Sequence, residues 1–237
     1  MERIAKTIAR AGLCSRREAE KWIEAGRVHI NGRLLATPAY NVGAQDFVTI
    51  DGKPLPEKQK VQLWRYHKPA GLLVSRKDPQ ERPTVFEALP ENLRNYHSVG
   101  RLDINTEGLL LLTNDGDVQR HLELPSTGWV RRYRVRAFGR ISEKELADLK
   151  NGITIDGIAY RGIDATLERK QGDNVWLAMG IREGKNREIK KVLLHMGLKV
   201  NRLIRISFGP FQLGHLPSGS VAEVPSHILR QQIKQDI

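Results

Sequence analysis

Apolar positions recur along this chain with two periods, and the switches between them mark out its elements. Ile4, Ile8 and Ala11 fall at helical spacing, with Arg3, Lys6 and Arg10 elsewhere on the cylinder, and Gly12 closes the run. Ser15-Arg16-Arg17-Glu18 reads as a capping box, in which the Ser15 hydroxyl accepts from the Glu18 backbone and the Glu18 carboxylate reaches back. A second helix therefore starts there, turns Ala19, Trp22 and Ile23 inward and stops near Gly26. Val28-His29-Ile30 alternates as a strand does and meets Asn31-Gly32, a strong hairpin signal. Phe47-Val48-Thr49-Ile50 predicts another strand, ended by Asp51-Gly52. Pro54, Pro56 and Glu57-Lys58-Gln59-Lys60 then read as a linker, so the expected domains are residues 1–60 and 61–237.

In the second part, residues 63–66 predict a strand, Lys68-Pro69-Ala70-Gly71 a turn, and Leu109-Leu110-Leu111-Leu112 a buried strand. A short helix is expected over 117–124, ended before Pro125. Residues 129–138 predict a strand with unlike faces, Tyr133, Val135 and Ala137 on one and Arg132, Arg134 and Arg136 on the other. Ser142-Glu143-Lys144-Glu145 is a second capping box, starting a helix that buries Leu146 and Leu149 and closes at Asn151-Gly152. Residues 163–167 and 175–179 alternate like antiparallel strands, with a turn at 171–174. Asn186 is expected to cap a helix that packs Ile189, Val192, Leu193 and Met196 and ends at Gly197. A strand over 202–208 and a terminal helix over 225–235 complete the prediction.

Composition narrows the class. The chain has 237 residues, 40% of them apolar, enough for one good core plus a small module. Its net charge of +12 implies attraction to a polyanion, nucleic acid before an acidic membrane. No apolar run approaches the roughly 20 residues of a spanning helix. The amino-terminal residues lack the apolar core of a secretory signal. Cys14 is the single cysteine and the seven histidines are scattered, so no disulfide and no metal site is expected, and a reducing cytoplasm is.

Candidate chemistry gathers at Gly100-Arg101-Leu102-Asp103-Ile104-Asn105-Thr106-Glu107-Gly108, where one carboxylate, Asp103, follows an arginine in a loop bounded by glycines and runs into the leucine strand. Gly100 and Gly108 allow a sharp turn or the close approach of a ligand. The plainer reading is an ordinary acidic loop. A second concentration, Arg182 to Lys191, sets Arg187 and Lys190 three apart on one helix side, which could be a solvated face. Arg16, Arg17, Lys21, Arg27 and Arg33 surround the second helix, all expected to be exposed.

The Asp103 stretch, continued through Leu109-Leu110-Leu111-Leu112-Thr113-Asn114-Asp115-Gly116, resembles at every fixed position the signature of pseudouridine synthases of the RsuA/RluB kind. The resemblance implies that Asp103 is the catalytic aspartate, that Tyr133, in Tyr133-x-Val135, stacks on the target base, and that Lys190 is the cation paired to Asp103. Synthases outside this branch usually carry arginine at that place, so a bidentate clamp is not implied. Arg187 is a second candidate partner and an RNA contact. Leu203 and Arg205 match the last motif, which implies that both contact RNA, the leucine packing against the base site or serving as a plain core residue. Lys68-Pro69-Ala70-Gly71 matches the first motif. Residues 10–32 resemble the S4 RNA-binding module, which implies that Arg16, Arg17, Lys21 and Arg27 hold RNA phosphates.

Together these give an α+β chain, a small helical S4-like module followed by a catalytic domain with a mixed, mainly antiparallel sheet flanked by helices. The implied reaction isomerises a uridine in ribosomal RNA with no cofactor, after the base leaves its stack. Arg101 would assist Asp103, hold a phosphate or fill the gap left by the base. Arg82-Pro83-Thr84-Val85-Phe86 and Leu89-Pro90 resemble the branch acting on the large-subunit (23S) RNA. The implied partner is ribosomal RNA or a pre-ribosomal particle, with no membrane and a monomeric protein. Competing readings are a nucleosidase, which needs a second carboxylate for which Glu107 is the close candidate, a noncatalytic S4-type assembly factor, and a synthase of the small-subunit (16S) RNA.

Overall fold

The computed structural model describes residues 1–233. The chain divides into two compact units, Met1–Val61 and Gln62–Ile237. In the first, helices Ile4–Arg10 and Arg16–Glu24 close over an antiparallel sheet whose strands run Arg33–Leu34, Val28–Ile30, Val48–Ile50, Lys53–Pro54 in spatial order. Ile4, Ile8, Ala19, Ile23, Val28, Ile30, Val48 and Ile50 form its core. Asn31 and Gly32 both take positive φ (50° and 80°), as a two-residue hairpin turn requires, and pair Ile30 with Arg33. The Ser15 hydroxyl accepts from the Glu18 backbone at 3.2 Å, while the Glu18 carboxylate lies 3.8 Å from Lys21 Nζ.

In the second unit one sheet dominates, nine strands among the described residues. Its main path runs Asp164–Gln171, Asn174–Ile181, Arg131–Phe138, Lys199–Phe208, Thr106–Thr113, Leu63–Lys68, Val221–Glu223, with Phe211–Gln212 and His97–Val99 paired alongside. Every pairing in it is antiparallel except that of Thr106–Thr113 with Lys199–Phe208. That parallel pair sits mid-sheet. Leu109, Leu110, Leu111 and Leu112 are all fully buried, which explains an apolar run without alternation: both faces of the strand are covered. Gly108 has φ +103° and stands opposite Arg205; a Cβ there would come within 2.3 Å of the Arg205 carbonyl oxygen. Its freedom therefore serves strand–strand approach rather than a ligand.

Several boundaries differ from the sequence expectation for local reasons. The arginine strand begins at Arg131, two residues later than expected. The helix after the leucine strand spans Gly116–Glu123, capped by Asp115, whose carboxylate accepts from Asp117 and Val118. Asn186 is not a helix cap: Arg187 occupies that position with a left-handed backbone (φ +53°), and the helix is Glu188–His195. The cause is Glu188, whose carboxylate turns back to accept from the backbone of Gly184 (2.9 Å) and Lys185 (2.8 Å). The terminal helix is Ser226–Gln232, and the last two positions of the expected 225–235 span lie outside the described residues. A short helix, Val85–Ala88, with a complete Thr84–Glu87 capping box, is present where none was expected.

Candidate active site

The loop between strands His97–Val99 and Thr106–Thr113 is tied down at every turn. The Gly100 backbone, at φ +68°, donates to the Glu123 carboxylate (2.7 Å), Gly71 donates to the Ile104 carbonyl (2.7 Å), and Thr106 to that of Asp103 (2.9 Å). Beneath it lies Lys68, fully buried, donating to the carbonyls of Pro69 (2.9 Å), Ile104 (3.0 Å) and Thr106 (2.9 Å). Three acceptors satisfy a lysine that burial would otherwise expel. Burial still pushes its pKa down to about 8, against the pull of the Asp103 and Glu107 carboxylates.

Asp103 leaves this fixed loop half-buried and meets the amino-terminal turn of the Glu188–His195 helix. Lys190 Nζ lies 3.2 Å from Asp103 Oδ2 and Arg187 Nη1 3.7 Å from the same oxygen. Among the described residues the one hydrogen bond to this carboxylate is that from Lys190 to Oδ2. Lys190 is the better held of the two cations, with 15% of its side chain exposed against 53% for Arg187. The helix is seated by Ile189, Val192 and Leu193, and its approach by Glu188, whose carboxyl is raised by burial and held down again by the Lys185 and Gly184 backbone donors. Arg187 reaches Asp103 because its left-handed backbone turns it there.

The cleft around these groups, about 160 Å³, brings together Arg101, Asp103, Tyr133, Arg187, Lys190, Leu203 and Arg205. Tyr133 (7% exposed) and Leu203 (6%) come from adjacent strands and form its wall. Arg101 is exposed at the rim, which the cleft shares with a second cavity lined by Phe86, His97 and Gln119.

Arg205 is not a surface RNA contact. It is 2% exposed, its Nε donates to the Leu109 carbonyl (2.7 Å), its guanidinium lies 5.3 Å from the Phe208 ring centroid, and its Nη2 has no partner among the described residues. Burial lowers its pKa and the neighbouring Tyr133 hydroxyl opposes that. The strand's alternation puts 203 and 205 on one inward face, so both serve as wall. Glu107 points the other way, gripped by Arg202 through two contacts of 2.8 Å that hold its carboxyl below the usual range, so it is unsuited to be the acid of a nucleosidase.

In the first unit, Arg16, Arg17 and Lys21 are exposed along one helix. Arg27 differs: it is half-buried, its Nε bonds both Asp51 carboxylate oxygens (3.0 and 3.1 Å), and its guanidinium lies 4.5 Å from the centroid of the Trp22 ring. Its charge is spent internally, which the sequence reading of it as exposed missed. Lys68 and Glu188 were the other omissions; a lysine at an inward position of a short apolar strand is the signal for the first.

The class defined by these features is an RNA-acting isomerase with an appended S4 domain. Residues 62–195 match the family described as RNA pseudouridylate synthase, and residues 2–48 match the S4 domain. The chain belongs to the RNA pseudouridylate synthase family. A Rickettsia felis protein designated an uncharacterized RNA pseudouridine synthase is 45% identical over 231 residues, covering 98% of this chain and all of that protein. The ribosomal large subunit pseudouridine synthase B of Salmonella typhi is 39% identical over 239 residues, covering 94% of this chain and 79% of its own. The crystal structure of a pseudouridylate synthase, 27% identical, superposes with a TM-score of 0.67 over 98% of this chain and 100% of that one. Among the described residues no helix is long and apolar enough to cross a membrane.

Proposed function

We propose that this synthase isomerises a uridine of ribosomal RNA, that of the large subunit, with Asp103 as the reacting carboxylate. The isomerisation breaks the N1–C1′ bond, turns the uracil and joins C5 to C1′; a proton leaves C5 and one is gained at N1. Atoms and electrons balance within the substrate, so the chemistry requires no cofactor. What it does require is an anion at the sugar as the base departs, a platform for the extruded base, and a grip on the RNA.

Asp103 supplies the anion. The observation that carries this is the pairing of its carboxylate at the cleft: Lys190 Nζ and Arg187 Nη1 both lie within ion-pair range of Oδ2, and Asp103 lines the cleft beside Tyr133. The Tyr133 ring takes the extruded uracil against Leu203, and stacking of this kind is worth about 1 to 3 kcal/mol. Arg101, free at the rim, meets the backbone beside the flipped nucleotide. The first unit, Met1–Val61, holds the RNA by Arg16, Arg17 and Lys21 and leaves base selection to the catalytic unit.

The large-subunit assignment draws on the Arg82 to Pro90 stretch and on the Salmonella relative's name. Mapping pseudouridine in ribosomal RNA from cells lacking this protein tests it: one site is expected to vanish from the 23S RNA. A site lost from the 16S RNA would move the substrate to the small subunit. With purified protein, Asp103→Asn is expected to bind target RNA normally and lose nearly all isomerisation; turnover by that variant near the wild-type rate would overturn the assignment of Asp103.

A further inference from the structure

The strand that presents Tyr133 to the cleft presents Arg132, Arg134, Arg136 and Phe138 to the opposite face of the sheet. All four are exposed, Phe138 by 51%. Register places Gly180, Ala178 and Trp176 of one neighbouring strand beside Arg132, Arg134 and Arg136, and Ile204 of the other beside Arg134. Beside Arg132 lies a hollow of about 250 Å³ walled by Ala178, Gly180 and Ile206, with Asp164 and Thr166 at its edge. This half of the sheet face is open, whereas the leucine strand further along is covered on both sides.

The arginines on this face differ in what they do. Arg134 is committed, bonded to Glu168 (2.7 Å) and stacked 4.7 Å from the Trp176 ring centroid. Arg132 and Arg136 have no carboxylate within salt-bridge range among the described residues. Their backbone positions, four residues apart on one strand, are separated by roughly 13 Å. An exposed phenyl ring and a shallow apolar hollow lie beside them. Unpaired cations interleaved with aromatic and apolar surface suit an anionic strand with flat bases. The chain's net charge of +12 adds to the attraction of this face for a polyanion. A sheet face cannot enter the deep groove of an RNA helix, but it can take unstacked bases.

We propose that this reverse face binds a single-stranded segment of the RNA substrate, distinct from the one carrying the target uridine. Phosphates rest on Arg132 and Arg136, one base enters the hollow, and another stacks on Phe138. Since Tyr133 and these arginines point to opposite sides of one strand, the two RNA segments engage as separate contacts on one body, and each raises the effective concentration of the other.

The inference rests on RNA as the substrate and is tested on the full-length chain with two RNAs, a minimal stem–loop carrying the target and a longer ribosomal fragment with flanking single strands. For Arg132→Gln with Arg136→Gln, affinity for the longer fragment is expected to fall about tenfold and the logarithmic salt slope to flatten by about 1.4, the value for two single-strand phosphate contacts. Affinity and isomerisation rate on the stem–loop stay unchanged. Phe138→Ala, and separately Ala178→Leu, which fills the hollow, each weaken the longer RNA at least about fivefold. Equal affinity and slope for the longer RNA overturn the proposal, as does an equal loss on both RNAs. Wild-type failure on the stem–loop would instead count against the site assignment, so the two readings fail separately.

Discussion

The cations beside Asp103 and those along the Arg16–Glu24 helix are the same residue types put to different use. Lys190 sits on a helix wedged into the core, beside a carboxylate held by a loop with backbone bonds at every turn. Arg16, Arg17 and Lys21 stand on the exposed side of their helix and, among the described residues, only Lys21 is near a carboxylate, at 3.8 Å. Fixed geometry turns charge into chemistry, because an ion pair at short range in partial shelter directs one oxygen of one carboxylate. Exposed charge acts at range and is screened by salt, which suits capture of a polyanion.

The sharpest break of this contrast removes the fixed anion: Asp103→Asn should cut isomerisation by roughly 10⁴-fold in single-turnover assays with RNA affinity preserved. Next come its partners, which the geometry ranks. Lys190→Met should lower the single-turnover rate about 100-fold, and Arg187→Met, losing the longer and more exposed contact, about fivefold.

Lys68 tests the claim that rigidity matters, since it never touches the cleft's chemistry. Lys68→Met leaves three carbonyls without their donor, at about 1 to 3 kcal/mol for each one left unsatisfied, and should lower both the melting temperature and the rate. The wild-type rate should also fall as pH rises through about 8, because the neutral amine has two donors for three acceptors. A flat pH–rate profile to pH 9.5 would count against that role. The smallest effect on turnover belongs to the other region: Arg16→Gln with Arg17→Gln should weaken RNA binding about tenfold, flatten its salt dependence, and leave the rate at saturating RNA within about twofold of wild type.

Asp103, Lys190 and Tyr133 were legible in the sequence because each stands in a motif whose spacing survives folding. Arg205 reads from its motif as an RNA contact, although the alternation from Leu203 already puts it inward. Asn186 was misread because capping propensity is local, whereas the Glu188 carboxylate reorganises the four residues before it. Gly108 reads as room for a turn or a ligand, and the true reason is not legible locally. Its reason is the Arg205 backbone from a distant strand, a contact that no local pattern encodes. The same holds for Arg27, whose partner Asp51 lies 24 residues on.

The parallel pairing at the centre of the sheet sets when catalytic competence can arise during synthesis. The Arg205 side chain and the Leu109 carbonyl it binds are 96 residues apart, and Leu203 walls a cleft whose carboxylate lies on the far side of that same seam. At a ribosomal pace of about 5 to 20 residues per second, the Asp103 loop waits several seconds for its opposing wall. A nascent chain stalled before Lys199 therefore carries an anchored carboxylate and no pocket, and premature termination there yields protein that cannot modify RNA.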